Sequence, residues 1–170
     1  RQPREEATTW TTPVIIEVDG VTQAVVAGTT AAVSYELKTG KEIWRCSGLT
    51  TNVIPTPVVG HGMIYLTSGY RGSALLAVDL SKAKGDITDS DAINWSVSRG
   101  TPYVPSPLLS GRNIYYLRSN NGIISCHDAI TGEEHYTGHR LDGVGTVYAS
   151  PVAGGGNVYG VSKHAVTRIS

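Results

Sequence analysis

The 170 residues carry 14 lysines and arginines against 14 aspartates and glutamates, with a pI near 7.1. That length suffices for one domain with a sizeable core or for a row of small repeated units. The balanced charge excludes a general electrostatic attraction to nucleic acid or an anionic membrane, and no apolar run approaches the roughly 18 residues of a membrane-spanning helix.

The opening stretch RQPREEATTW is too polar and acidic for a signal peptide. From there one motif recurs: Ser or Thr, then Pro, then an apolar residue. It stands at Thr12-Pro13-Val14, Thr56-Pro57-Val58, Ser106-Pro107-Leu108 and Ser150-Pro151-Val152. The prolines are 44, 50 and 44 residues apart, a period that belongs to repeat architectures. Proline at the head of a strand costs no ladder bond and holds the residue before it extended, so each motif marks a first strand.

Tyr65, Tyr115 and Tyr159 fall in MIYLTS, NIYYLRS and NVYGVS, β-branched and aromatic runs that predict second strands. The first unit is expected to have a longer turn, EVDGVTQ, before its own run QAVVAG. Third strands follow as AAVSYEL, SALLAVDL and GIISCHDA, and the chain then leads into a fourth. Each unit is thus predicted to be a four-stranded meander.

Third and fourth strands are joined by a repeated shape, YELKTGKEIW at 35–44 and HDAITGEEHY at 127–136. Gly40 and Gly132 suit a turn in which glycine takes positive φ, while the acids Glu36 and Asp128 bond back to turn amides. Trp44, Trp95 and Tyr136 end the shape and are expected to bury their rings against the neighbouring unit. The second unit carries an insert, residues 81–92 within SKAKGDITDSDA, expected as a long solvated surface loop.

Four-stranded sheets at this period predict an all-β fold, a β-propeller arc of about four antiparallel blades. A two-layer sandwich is the competing architecture. Ser34-x-Glu36-x-x-Thr39-Gly40-Lys41-x-x-Trp44 resembles the tryptophan-docking motif of quinoprotein-type propellers. Cys126-x-Asp128-x-x-Thr131-Gly132-x-x-x-Tyr136 is a degenerate copy, and Ala77-x-Asp79 begins one that the insert interrupts. The chain is similar over most of its length to the pyrroloquinoline-quinone-like repeat propellers, which close with seven or eight blades. The resemblance therefore implies roughly half a ring. The expected divisions are 1–11, the remnant of a preceding blade and its crossing; 12–47, blade one; 48–97, blade two; 98–138, blade three; and 139–170, an incomplete blade four. The remaining blades of a longer parent, or a second chain, are the expected partners of the bare blade faces and strand edges.

That family holds dehydrogenases and also cofactor-free proteins, among them a scaffold lipoprotein of bacterial outer-membrane assembly. Its dehydrogenases set adjacent cysteines against the quinone and a Glu-Asn-Asp site around calcium. Here Cys46 and Cys126 lie far apart and no matching acid cluster can be assigned, so the residues present support neither pyrroloquinoline quinone nor calcium. Both cysteines are expected as buried free thiols. No cofactor, no metal site and no nucleic-acid partner is predicted. Asp86, Asp89 and Asp91 lack the ligand ladder and terminal Glu of a calcium loop. The five histidines are scattered over different units, and no G-x-S-x-G or H-E-x-x-H motif occurs.

In such a meander the crossings between blades share one end with the loops joining second and third strands. That end gathers Asn52, Arg71, Tyr103, Asn120, Asn121, Tyr148 and Lys163 into a polar, aromatic-lined mouth, the candidate ligand site. The competing reading is that these side chains satisfy loop backbones and pack blades together. The functional expectation is a non-enzymatic binding or scaffolding segment, with a fragment of a quinone-dependent dehydrogenase as the alternative. A periplasmic or secreted bacterial setting is what the resemblance implies.

Overall fold

The computed structural model of the chain describes residues 2–164 and 166–169. Arg1, in the expected remnant, and Ala165 and Ser170, in the expected fourth blade, lie outside the described residues.

Blade one consists of β1 (Val14–Val18), β2 (Val21–Val26), β3 (Ala32–Glu36) and β4 (Glu42–Cys46). Blade two follows with β5 (Val58–Gly60), β6 (Met63–Ser68) and β7 (Ala74–Asp79), then a short β8 (Gly85–Asp86) in the insert, then β9 (Ile93–Val97). Blade three contains β10 (Leu108–Ser110), β11 (Asn113–Leu117), β12 (Ile123–Asp128) and β13 (Glu134–Arg140). Blade four contains β14 (Val152–Gly154), β15 (Asn157–Val161) and β16 (Val166–Ile169).

Within each blade the strands pair antiparallel in chain order, and the described residues contain no helix. The first strands β5, β10 and β14 lie next to one another and form the inner edge of the arc. Apolar cores sit between successive sheets, as a propeller requires. Ile16, Val25 and Trp44 of blade one meet Ile64, Leu66 and Val78 of blade two. Met63, Tyr65 and Leu75 meet Ile114 and Tyr116 of blade three. Leu117 and Ile124 meet Leu141, Val144 and Val158 at blade four.

The recurrent Ser/Thr-Pro motif acts through its hydroxyl as well as its proline. The Thr56 amide donates to Ser106 Oγ at 2.9 Å, and the Ser106 amide donates to Ser150 Oγ at 2.9 Å. Blade two is thereby tied to blade three, and blade three to blade four, beside the inner edge, by an amide that the proline start of the strand leaves outside the ladder.

The turns between third and fourth strands follow the sequence expectation closely. Gly40 and Gly132 both have a φ of +75°, and their amides donate to the Glu36 and Asp128 carbonyls at 2.8 and 2.9 Å. Asp128 Oδ1 accepts from the amides of Ile130 and Thr131 at 2.9 and 2.8 Å, while Glu36 takes the Thr39 hydroxyl. Opposite these turns Trp44, Trp95 and Tyr136 pair across the strands with Ser34, Ala77 and Cys126, beside a bulge in all three blades.

Two expectations are corrected. The longer turn of blade one is a longer hairpin: β1 and β2 pair as far as Val18↔Val21, and the turn is only Asp19-Gly20, with φ of 51° and 76°. Positive φ at both positions matches the twist of the flanking strands, so the pairing runs on. The insert keeps its polar residues largely exposed, as expected of a surface loop, but it is not loop throughout. Its β8 pairs parallel with β4 of the neighbouring blade, Trp44↔Gly85 and Arg45↔Asp86, and makes a fifth strand there. Ala83, Ile87 and Ala92 are buried beneath it, because these apolar residues cover the indole of Trp44, which is only 1% exposed.

Candidate functional site

At the mouth end the loop between β6 and β7 and the crossing into blade three build one stack. The Arg71 guanidinium lies 5.4 Å over the Tyr70 ring, and Tyr70 stacks on Tyr103 at 4.9 Å. Arg71 holds a φ of 52°, a left-handed backbone conformation that residues other than Gly, Asn and Asp rarely adopt. The Tyr103 amide donates to Ser119 O, and Asn120 Oδ1 accepts from the Val104 amide at 3.1 Å. Arg71, Tyr103 and Asn120 are thus brought to one neighbourhood.

The other candidates at this end are held separately. Asn52 accepts from Thr8 Oγ1 at 3.0 Å, and its amide donates to Thr29 Oγ1. Asn121 Oδ1 accepts from the Ile123 amide at 3.2 Å. Tyr148 and Lys163 are exposed, and among the described residues no bond or ring contact ties them to the Arg71 stack. Asn120 and Asn121 therefore spend their side-chain acceptors on loop backbone and Asn52 spends its own on the Thr8 hydroxyl, while the Arg71 cation, the aromatic rings and Lys163 remain as groups able to meet a partner. Sequence reasoning passed over Trp10, which is 67% exposed, two residues before the Thr12-Pro13 motif. Tyr148, 64% exposed, holds the same place before Ser150-Pro151, so the repeat spacing already marked the pair.

Between blades two and three, polar and aromatic side chains join the apolar core. Trp95 Nε1 and the Tyr65 hydroxyl both donate to Ala129 O at 2.9 Å, and a Cβ on Gly132 would fall 2.6 Å from the indole. The His127 ring stacks between Trp95 and Tyr116, with its Nε2 2.8 Å from the Tyr116 hydroxyl. Burial pushes both Tyr65 and Tyr116 up to about 12. The Arg112 guanidinium, with the turn amides, holds Asp128 well below the usual carboxylate range.

Cys46 on β4 and Cys126 on β12 are buried free thiols, each pushed up to about 11 by burial. They sit in different blades, so the residues present do not fit the adjacent cysteine pair of the quinone enzymes. In the insert, Asp86 accepts from the Thr88 amide and Asp91 pairs with Lys82 at 3.5 Å. Asn94 Nδ2 donates to Ile130 O at 2.8 Å, which spends its amide on the seam between blades.

Two concavities lie at the opposite end, among the turns of blades one and two. One of about 550 Å³ is walled by Val18, Val21, Ile43, Leu80 and Ala83. A second, of about 510 Å³, adjoins it and reaches His61.

A family model described as outer membrane protein assembly factor BamB matches residues 2–170. The chain belongs to this family. BamB from Moraxella catarrhalis is similar in structure, with a TM-score of 0.61 at 13% identity over 90% of this chain and 46% of that one. This chain therefore spans about half the length of that BamB. The computationally designed Ika4 protein is also similar, with a TM-score of 0.59 at 11% identity over 99% of this chain and 93% of that one. At such identities these two likenesses establish the fold alone. No curated protein sequence matches this chain.

Proposed function

We propose that this chain is a non-enzymatic binding segment of a BamB-type propeller, which works in the periplasm by holding a protein partner of outer-membrane assembly. The match to the assembly-factor family across residues 2–170 carries this reading. The mouth end supplies the contact surface, because arginine and aromatic side chains dominate the energetics of protein interfaces. Arg71, Tyr103, Trp10 and Tyr148 are its anchors, with Asn52, Asn120, Asn121 and Lys163 as polar surroundings. The bare outer faces of blades one and four, which expose Ile15, Val152 and Val166, meet further blades from a longer parent or a second chain.

The test is complementation in a bacterium that lacks its own assembly factor of this family, with the chain in its native context. Wild type should restore outer-membrane protein levels, and the double variants Arg71→Ala/Tyr103→Ala and Trp10→Ala/Tyr148→Ala should fail while remaining folded. Full rescue by both variants would remove the mouth from the reading. A quinone chromophore that survives gel filtration, together with dye reduction by alcohols or sugars, would replace the reading with a dehydrogenase.

A further inference from the structure

The balanced net charge conceals a separation between the two ends of the arc. Between residues 48 and 138 every acid stands at the turn end, from Asp79 through Asp86 and Asp91 of the insert to Asp128 and Glu134. The mouth-end segments of the same blades, residues 47–57, 69–73, 98–107 and 118–122, hold Arg71, Arg99 and Arg118 and no Asp or Glu. Opposite ends of one pair of blades thus carry opposite signs.

The ends also differ in how their cations are held. At the turn end Lys82 pairs with Asp91, and Arg112 with Asp128. At the mouth Arg71, Arg99 and Arg118 are exposed, and among the described residues no carboxylate pairs with any of them, Asp142 of the next crossing included. Their guanidinium donors are left for a partner.

The backbone brings the three segments together. The Ser119 amide donates to Thr101 O at 3.0 Å and the Tyr103 amide to Ser119 O at 3.2 Å, which joins the loop of Arg118 to the crossing of Arg99. A Cβ on Gly69 would fall 2.5 Å from Pro102 O, so the loop of Arg71 lies against the same crossing. The Arg118 amide also donates to Ile123 O at 2.7 Å, and Ile123 pairs on its other side with Arg140, a further exposed arginine with no ion pair. Cations gathered on one surface add their potentials, and here no acid of the chain cancels the sum.

We propose that the mouth of blades two and three binds an acidic segment of a partner protein, whose carboxylates pair with Arg71, Arg99 and Arg118. A guanidinium can meet a carboxylate with two parallel bonds, which fixes orientation as well as sign. The proposal rests on the mouth being the contact surface, as in the function proposed above. To that reading it adds Arg99, Arg118 and the charge of the partner.

The experiment is calorimetric titration of the 170-residue chain with an acetylated, amidated peptide of alternating Glu and Gly, with its Gln counterpart, and with phosphatidylglycerol vesicles. The Glu peptide should bind at about 20 mM salt and about tenfold more weakly at about 150 mM, and the Gln peptide should not bind. Arg71→Glu/Arg99→Glu/Arg118→Glu should lose about tenfold or more, at roughly twofold to threefold per exposed pair. Lys38→Glu/Lys41→Glu/Lys84→Glu, exposed at the turn end, should bind as wild type. Equal binding of the two peptides, equal losses in the two triple variants, or no binding at millimolar peptide would overturn the proposal. So would binding of the vesicles alone, or self-association that the mouth variant abolishes, which would assign a lipid surface or the acidic end of a second copy. Complementation separates this proposal from the reading beneath it: Arg99→Glu/Arg118→Glu should fail. Full rescue by that pair, while Arg71→Ala/Tyr103→Ala fails, keeps the mouth and overturns the acidic partner; rescue by both removes the mouth and this proposal with it.

Discussion

Between blades two and three, Trp95 lies on the Thr131-Gly132 turn and donates to Ala129 O. Between blades one and two, Trp44 has no such turn to lie on, because the insert stands in its place and covers the indole with Ala83 and Ile87. The first seam is half-open, aromatic and hydrogen-bonded; the second is aliphatic and closed over its ring, but leaves a cavity beside it. The repeat thus demands that each ring be covered, and leaves open by what. The cover with a glycine turn specifies a fixed distance, whereas the cover with an insert gains burial and loses fit.

Truncating the rings is expected to have the largest effect. Trp44→Ala should cost about 3–5 kcal/mol in urea unfolding, as expected for a fully buried aromatic. Trp95→Ala should cost less, because its ring is only partly buried. Equal losses would mean that the insert adds nothing to the seam between blades one and two.

Alanine at the two glycines should have the next largest effect. Gly40 and Gly132 share a φ of +75°, so each substitution carries the same backbone penalty of about 1 kcal/mol. Only Gly132→Ala also drives a methyl into an indole, since nothing lies within 4 Å of a Cβ on Gly40. The overpacking should add about 1–3 kcal/mol to Gly132→Ala alone, read as the difference between the two midpoints.

The pH dependence separates the groups by sign. The folded chain keeps the protons of Tyr65, Tyr116 and Tyr136 to about 12 and of both thiols to about 11, above their ordinary values of 10.0 and 9.0. Stability from these groups is therefore full below about pH 9 and falls as pH rises towards 12. Asp128 works in the opposite direction: its lowered value gives stability above its ordinary 3.8, lost as pH falls below that. Asp128→Asn should flatten the acid limb of the melting-temperature profile and leave the alkaline limb in place. The smallest effect is expected at the inner edge, where Ser106→Ala removes the acceptor of the Thr56 amide and should cost about 1 kcal/mol.

Much of this was legible from residues. Proline spacing, the tyrosine runs and the paired Thr-Gly shapes are local signals, and strands and turns stand where they indicated. The insert was not legible, because β8 is two residues long and gets its reason to be a strand from β4, in another blade. Leu80, Ala83, Ile87 and Ala92 hide their common burial in a polar stretch with neither helical nor strand period. The first hairpin was legible and misread: Asp19-Gly20 between alternating residues is itself a two-residue turn signal. At the mouth, the position of Arg71 and Tyr103 followed from topology, but their stacking through Tyr70 depends on a left-handed residue that no pattern announces.

The parallel pairing of Gly85–Asp86 with β4 also bears on the order of assembly. As the chain leaves the ribosome, the β4 edge of blade one stays unsealed until most of blade two has been made. For that interval the nascent protein carries an unpaired, adhesive margin.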